Sequence, residues 1–331
     1  MHHKRVGVVL FQLGGPDSLD AVEPFLYNLF SDPDIIDFPL ARIARQPLAR
    51  LVAANRAKKV RSHYAEIGGR SPIRELTLRQ AESLQAELRP EIDASVVVAM
   101  RYWHPLTEEA IRQLQRERVE EVVLLPLYPQ YSSTTTGSSL HEWRRRAAAL
   151  GLNGTPAHIV REFYEHPGYV EALAGQIDRT LQRFGPGKTV HLVFSAHNVP
   201  AAVIEAGDPY CAQIESTMKL VMRRGGWAGP SHLCYQSKVG GARWLEPSLD
   251  KTIEELAARG AENLLVVPIA FVSDHVETLG EIDIDARKKA SRCGIQQFEM
   301  MPGLNYSPRF IRALADLVRA TLAGSAQPAH S

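Results

Sequence analysis

Three short segments concentrate side chains able to move protons or hold charge. They are Ser195-Ala196-His197-Asn198-Val199-Pro200, Ser273-Asp274-His275-Val276-Glu277-Thr278-Leu279-Gly280-Glu281, and Arg101-Tyr102-Trp103-His104-Pro105. An imidazole with an ordinary pKa of about 6.5 accepts and releases a proton near neutrality, and a carboxylate within reach can take that proton onward. Each segment directly follows an apolar run. His197 alone reads equally as a satisfied strand-end histidine, and the acids of the second segment equally as a helix first turn, where negative charge complements the macrodipole. The Arg101 group joins a cation to two aromatics and suits a flat, apolar, anionic ligand. A fourth segment, Leu127-Tyr128-Pro129-Gln130-Tyr131 followed by the hydroxyl-rich 132–139, suits a helix cap or an anion cradle.

Side chains of this kind need a scaffold that lines them up. The chain repeats one pattern, a short β-branched run, a loop, an amphipathic helix and another run, which is the mark of parallel βαβ units. Strands are expected over 6–11, 94–100, 121–127, 189–195, 232–236 and 263–271. Arg101, Pro105, Ile111, Leu114 and Pro126 recur at one constant offset as Arg243, Pro247, Ile253, Leu256 and Pro268. A second offset lays 6–16 over 190–200, with Leu13 falling where the later copy has His197. The expected fold is α/β, two similar Rossmann-like halves, each a parallel sheet flanked by helices. Residues 1–165 form the first half and 166–325 the second, with an active-site cleft between them and the terminal helix packing back on the first. In open parallel sheets ligands sit beyond the carboxyl ends of the strands, where all four segments fall.

Composition removes several function classes. Lys plus Arg number 38 against 37 Asp plus Glu, so no whole-chain field exists to attract nucleic acid. The glycine-rich segments, Gly14-Gly15-Pro16 and Ile67-Gly68-Gly69-Arg70-Ser71-Pro72, are neither dinucleotide nor P-loop signatures, and no nucleophile elbow surrounds a serine. Three cysteines, Cys211, Cys234 and Cys293, are an odd number without a Cys-x-x-Cys pair, as expected of reduced thiols in the cytoplasm. The start lacks a signal-peptide pattern, and the longest apolar stretch, 264–272, is about half of the roughly 20 residues a spanning helix needs.

The motifs, taken in order, resemble the ferrochelatase family, the terminal enzymes of haem synthesis. Beyond the segments above, they are Gln12-Leu13-Gly14-Gly15-Pro16, Ile67-Gly68-Gly69-Arg70-Ser71-Pro72-Ile73, Thr135-Thr136-Gly137-Ser138-Ser139, Gly207-Asp208-Pro209-Tyr210, Gln236-Ser237-Lys238-Val239-Gly240 and Trp244-Leu245-Glu246-Pro247. Asn198, Val199 and Gly280 depart from residues usual in the family.

The resemblance implies insertion of Fe²⁺ into protoporphyrin IX to give protohaem and two protons, with iron and porphyrin as substrates and no permanently bound cofactor. His197 would accept a pyrrole proton and Glu277 relay it, the two forming a loose iron site, with Asp274 and His275 orienting Glu277 or continuing the relay. Arg101 and Tyr102 would face the other side of the macrocycle, and either side could admit iron. Leu13, Tyr64, Tyr128, Trp244 and Phe271 would form walls, and Arg56 and Ser71 would hold a propionate. Some relatives carry a [2Fe-2S] cluster with one cysteine where this chain has Ser133, and three thiols are too few for its four ligands, so no cluster is expected. An apolar and basic segment, 24–60, would be a lip over the pocket, read equally as a buried amphipathic helix and as a peripheral membrane contact. Contact with neighbouring enzymes of the haem pathway would follow. Coproporphyrin III ferrochelatase or another tetrapyrrole metal chelatase is the near alternative, and a non-catalytic tetrapyrrole carrier is the alternative of another class.

Overall fold

The computed structural model describes residues 4–34, 41–238 and 242–324, without the side chains of 41–44. The chain divides into two compact units, Met1–Phe163 together with Phe310–Ser331, and Tyr164–Arg309.

In the first unit, β1 (Val6–Gln12), β2 (Ala94–Met100), β3 (Glu121–Pro126) and the short β4 (Ala157–Ile159) form an all-parallel sheet in the order β2-β1-β3-β4. β1 and β2 are buried along their whole length, as expected when helices cover both faces of a parallel sheet. Around them lie α1 (Val22–Phe30), α2 (Ala41–Glu66), α3 (Ile73–Leu88), α4 (Thr107–Arg116) and α5 (Ser138–Ala149). α4 is amphipathic at helical spacing. Its Ala110, Ile111 and Leu114 pack with Val9, Val97, Leu124 and Trp143 in one core. The carboxylate of Glu109 caps its start, accepting from the Leu106 N–H at 2.7 Å.

The second unit repeats the plan. After α6 (Pro167–Leu181) come β5 (His191–His197), α7 (Ala201–Glu205), α8 (Tyr210–Gly225), β6 (Ser231–Gln236), α9 (Leu249–Ala258), β7 (Asn263–Pro268), α10 (Arg287–Arg292) and β8 (Gln297–Met300). The sheet is parallel in the order β6-β5-β7-β8. Ile253 and Leu256 of α9 enter a core with Val193, Val266, Ile282 and Phe298, the places that Ile111 and Leu114 take in the first unit. The last helix, α11 (Pro308–Ala323), ties to the first unit through Arg319, whose Nε donates to Glu91 at 3.0 Å.

Three differences from the sequence reading have local causes. β4 and β8 escaped it because they are short, half-exposed edge strands. β7 ends at Pro268, where the Phe271 N–H turns back to the Pro268 carbonyl at 3.2 Å. Of the proposed lip, Phe25, Leu26 and Phe30 are buried on α1, so the core takes them. Ile35, Ile36, Phe38 and Leu40 lie outside the described residues, as does the Ile43 side chain.

In both sheets the chain order reverses beside the central strand, between β1 and β3 and between β5 and β7. Such switch points are where the loops splay apart and leave room for a ligand.

Candidate active site

Register decides which residues meet beyond the second sheet. Ser195 pairs with Pro268 and His197 with Gln236, so His197, Ser237 and the loop after β7 emerge side by side. His197 Nδ1 lies 2.7 Å from Glu277 Oε2, and 39% of the imidazole side chain stays accessible although its surroundings are dense with protein. Tyr210 donates its hydroxyl to the His197 carbonyl at 3.0 Å, which holds the strand end in place. Phe271 stands beside both imidazoles, 4.4 Å from the His275 ring and edge-on to His197 at 6.0 Å.

Glu277 opens a ten-residue π-helix, Glu277–Ala286, a widened turn that recurs at functional sites. Its Oε2 also accepts from Ser237 Oγ at 2.9 Å, and the same hydroxyl touches Glu281 Oε2. A serine hydroxyl has one proton and here meets two carboxylates, so one of the acids must bring its own. That acid is Glu281. Burial, and then the negative charge of Glu277, push its pKa up to about 7. Glu277 goes the other way: burial opposes its charge, but His197, His275 and the Ser237 hydroxyl outweigh burial and hold it below the usual carboxylate range. His197 is raised because Glu277 overcomes the desolvation of the imidazolium. His275 is lowered by burial despite the nearby Glu277, and its Nδ1 contacts the Ser273 carbonyl at 3.1 Å. The result is a connected series: His197, Glu277, Ser237, Glu281. Ser237 sits in it at a φ of +65°, a left-handed conformation that a non-glycine residue keeps only where its surroundings enforce it.

Asp274 is adjacent in sequence but faces another way. Its carboxylate accepts from the Gly303 N–H at 2.9 Å and from Asn305 Nδ2 at 2.8 Å, closing the loop after β8. Asn198 exchanges two hydrogen bonds with the backbone of Leu245, at 3.1 and 3.0 Å, and so fixes the turn that carries Trp244. The Trp244 indole N–H is buried and has no partner among the described residues.

The first unit brings Leu13, Arg101 and Tyr128 to the carboxyl edge of its own sheet, since Gln12 pairs with Met100 and Phe11 with Pro126. Arg101 Nη2 meets Asp32 Oδ2 at 2.9 Å, and the same oxygen accepts from the Tyr102 hydroxyl at 2.5 Å and from Ser138 Oγ at 2.6 Å. Tyr102 is only 1% exposed. Ser71 and Tyr64 are buried too, the Ser71 N–H donating to the Pro16 carbonyl at 2.8 Å, with its hydroxyl packed where Gly15 has no Cβ. Arg56 lies over the Phe30 ring at 5.7 Å.

Sequence reasoning assigned no role to Ser237, Glu281, Tyr210, Asp32 or Ser138. Ser237 and Glu281 stood inside quoted motifs, so the signal was present. Nothing local marks Asp32, whose partner Tyr102 lies 70 positions away.

The chain matches the family described as "Ferrochelatase" over residues 5–322. It is 48% identical to the ferrochelatase of Aquifex aeolicus, covering 95% of this chain and 99% of that one. To the ferrochelatase of Geobacter metallireducens it is 49% identical, covering 96% and 98%. Among solved structures, SirB from Bacillus subtilis with Fe³⁺ superposes with a TM-score of 0.57 at 12% identity over 97% of both chains, a likeness of fold.

Proposed function

The chain belongs to the ferrochelatase family, and from that premise we propose that His197 is the base that strips the pyrrole protons from protoporphyrin IX while Glu277 holds the resulting imidazolium. The activity is that of a lyase inserting iron into a porphyrin. Two N–H protons must leave the ring centre as Fe²⁺ enters.

One observation carries the assignment of roles, the 2.7 Å bond between His197 Nδ1 and Glu277. Glu277 is ionised, so it accepts and Nδ1 carries the hydrogen. Nε2 is then the unprotonated nitrogen, a lone pair ready for a pyrrole N–H. Once Nε2 is protonated, the adjacent carboxylate stabilises the imidazolium, and the raised pKa of His197 makes it a stronger base. Ser237 links this carboxylate to Glu281, which can receive a proton along the series only after it has released its own. Imidazole nitrogen and carboxylate oxygen also suit Fe²⁺ as a passing substrate, two donors being too few to trap it. Phe271 and Trp244 offer apolar surface in the second unit, and Leu13, Tyr128 and Arg101 offer apolar surface and a cation at the sheet edge of the first.

The cysteines do not fit a [2Fe-2S] cluster. Cys234 is buried in β6 with its thiol pushed up to about 12 by burial, Cys211 on α8 is raised for the same reason, and Cys293 follows α10. Three thiols on separate elements, Cys211 and Cys234 among them raised by burial, make a poor ligand set for a cluster that needs four.

Among the described residues no helix is long and apolar enough to cross a membrane. Exposed Leu48 and Leu51 on α2, beside Arg50 and Lys58, support peripheral contact of a cytoplasmic protein with a membrane surface.

Anaerobic Fe²⁺ insertion, assayed in parallel with protoporphyrin IX and coproporphyrin III, tests the reading. Turnover should favour protoporphyrin in the native protein and nearly vanish in His197→Ala, which should still quench porphyrin fluorescence on binding. Near-native turnover in that variant overturns the assignment.

A further inference from the structure

Asp32 has no accessible side-chain surface and lies just beyond the end of α1, far in sequence from Arg101, Tyr102 and Ser138, whose side chains it holds. One of its oxygens, Oδ2, receives three donors: Arg101 Nη2, the Tyr102 hydroxyl and Ser138 Oγ. Its other oxygen accepts from the Asp34 N–H at 3.0 Å. The donors are themselves linked. Arg101 Nε donates to Ser138 Oγ at 2.8 Å, and the guanidinium stands 5.0 Å from the centre of the Tyr102 ring. The Asn28 side chain closes on the Tyr102 carbonyl at 3.0 Å. Three segments of chain, the exit of α1, the end of β2 and the start of α5, are thus tied at one carboxylate.

A buried carboxylate is costly unless it is paired and hydrogen-bonded, and this one is fully engaged. Its partners are not equivalent. Tyr102 is buried, and burial followed by the Asp32 charge raises its phenol well above the ordinary value, so it remains a neutral donor. Arg101 alone keeps an accessible edge, 14% of its side chain. Of the five N–H groups of a guanidinium, the contacts with Asp32 and Ser138 occupy two among the described residues, which leaves the others for a ligand. Arg101 is a long side chain with several rotatable bonds; pinned on two sides and stacked on a ring, it keeps one orientation.

We infer that Asp32 is a positioning residue for porphyrin binding: through Arg101, Tyr102 and Ser138 it presents the free edge of the Arg101 guanidinium to the macrocycle in one fixed geometry. This rests on the reading that Arg101 faces the porphyrin. Pre-ordering the cation removes an entropic cost that binding would otherwise bear, so the effect belongs in porphyrin affinity rather than in the proton and metal steps at His197.

The test is a double-mutant cycle on the full chain. Asp32→Asn should raise the KM for porphyrin about tenfold, with kcat within about threefold and the KM for Fe²⁺ unchanged. Arg101→Leu should raise the porphyrin KM at least as far, and the double variant should be no worse than Arg101→Leu alone. Ser138→Ala, which removes one donor and leaves Asp32 paired with Arg101, should move the same constant two- to threefold and serves if Asp32→Asn does not fold. A lowered melting temperature with an unchanged porphyrin KM in Asp32→Asn, or in Ser138→Ala where that variant is the one that folds, makes the role structural and overturns the inference. Multiplying rather than overlapping effects overturn it too. If Arg101→Leu alone leaves the porphyrin KM unchanged, the underlying reading fails and takes the inference with it, a result told apart by melting temperatures that still couple between Asp32 and Arg101.

Discussion

The two units share a plan and differ in chemistry. In each, a central strand lies between its second and third neighbours, a proline leads into an amphipathic helix, and two residues of that helix, Ile111 and Leu114 or Ile253 and Leu256, anchor the core. Both prolines, Pro105 and Pro247, return a carbonyl to the preceding strand, accepting from Met100 N–H at 2.7 Å and Tyr235 N–H at 2.9 Å. Yet the end of β1 carries Leu13 where the end of β5 carries His197. Beyond the first sheet the charges are neutralised in a closed group around Asp32. Beyond the second they are left partly opposed, with two carboxylates on one hydroxyl and one imidazole. The scaffold provides the place, and the residue at the strand end sets the chemistry available there, an apolar side chain at Leu13 and a titratable one at His197.

The comparison breaks most visibly at the two strand ends. His197→Ala should lower the rate of iron insertion by 10²–10⁴, the usual contribution of a positioned base, whereas Leu13→Ala should change the porphyrin KM only severalfold. A comparable loss of kcat in both variants, measured under anaerobic single-turnover conditions, would mean that the units share the proton chemistry. Glu277→Gln should cost about tenfold to a hundredfold, because the amide still accepts the Nδ1 hydrogen but no longer stabilises the imidazolium.

The cores should answer alike. Ile111→Ala and Ile253→Ala each delete a fully buried side chain and should each destabilise by about 2–5 kcal/mol, read by denaturant unfolding, with iron insertion intact at low temperature. A large loss in one unit with almost none in the other would show that the matching positions do not bear matching loads.

Protonation gives a finer contrast. His197 is raised, so its share of stability is full below its unfolded value of about 6.5 and is lost as pH rises through its folded value. Glu277 is lowered, so its share is full above about 4.3 and is lost as pH falls through its folded value. The pair therefore stabilises most between about pH 4.3 and 6.5, and the melting temperature of Glu277→Gln should fall furthest below native there. Glu281 has the opposite sense. Being raised to about 7, it favours the fold least once ionised, so Glu281→Gln should match the native protein at pH 4 and exceed it at pH 8. An advantage for that variant at pH 4 would contradict a protonated Glu281. The smallest effect is expected from replacing Cys211, Cys234 and Cys293 together. That should cost about 1–2 kcal/mol per buried site without loss of activity, and an iron-sulfur absorption band lost with activity would refute the cluster-free reading.

The strand-end placement of His197 was legible from the sequence because it depends on short-range order, an apolar β-branched run followed by polar residues, whereas Glu277 lies well past the end of β7, in the first turn of the π-helix. Motifs such as Ser195-Ala196-His197 are contiguous and need no folding to be seen. Parallel pairing was legible for the same reason, since β1 and β2 are apolar at consecutive positions, 8–11 and 96–100, rather than at alternate ones. What only the tertiary structure decided are relations among residues that no local pattern connects. Ser237 became a bridge between Glu277 and Glu281 because β6 ends beside β5 in register. Asp274, a candidate relay from its position in the sequence, was drawn to Gly303 and Asn305 by the loop after β8. Asp32, in an unremarkable Ser-Asp-Pro-Asp stretch, became the buried partner of Arg101. Local patterning is set by backbone period and side-chain polarity, which one segment contains. Pairing, burial and the resulting pKa shifts depend on which distant segments the fold brings within hydrogen-bond distance.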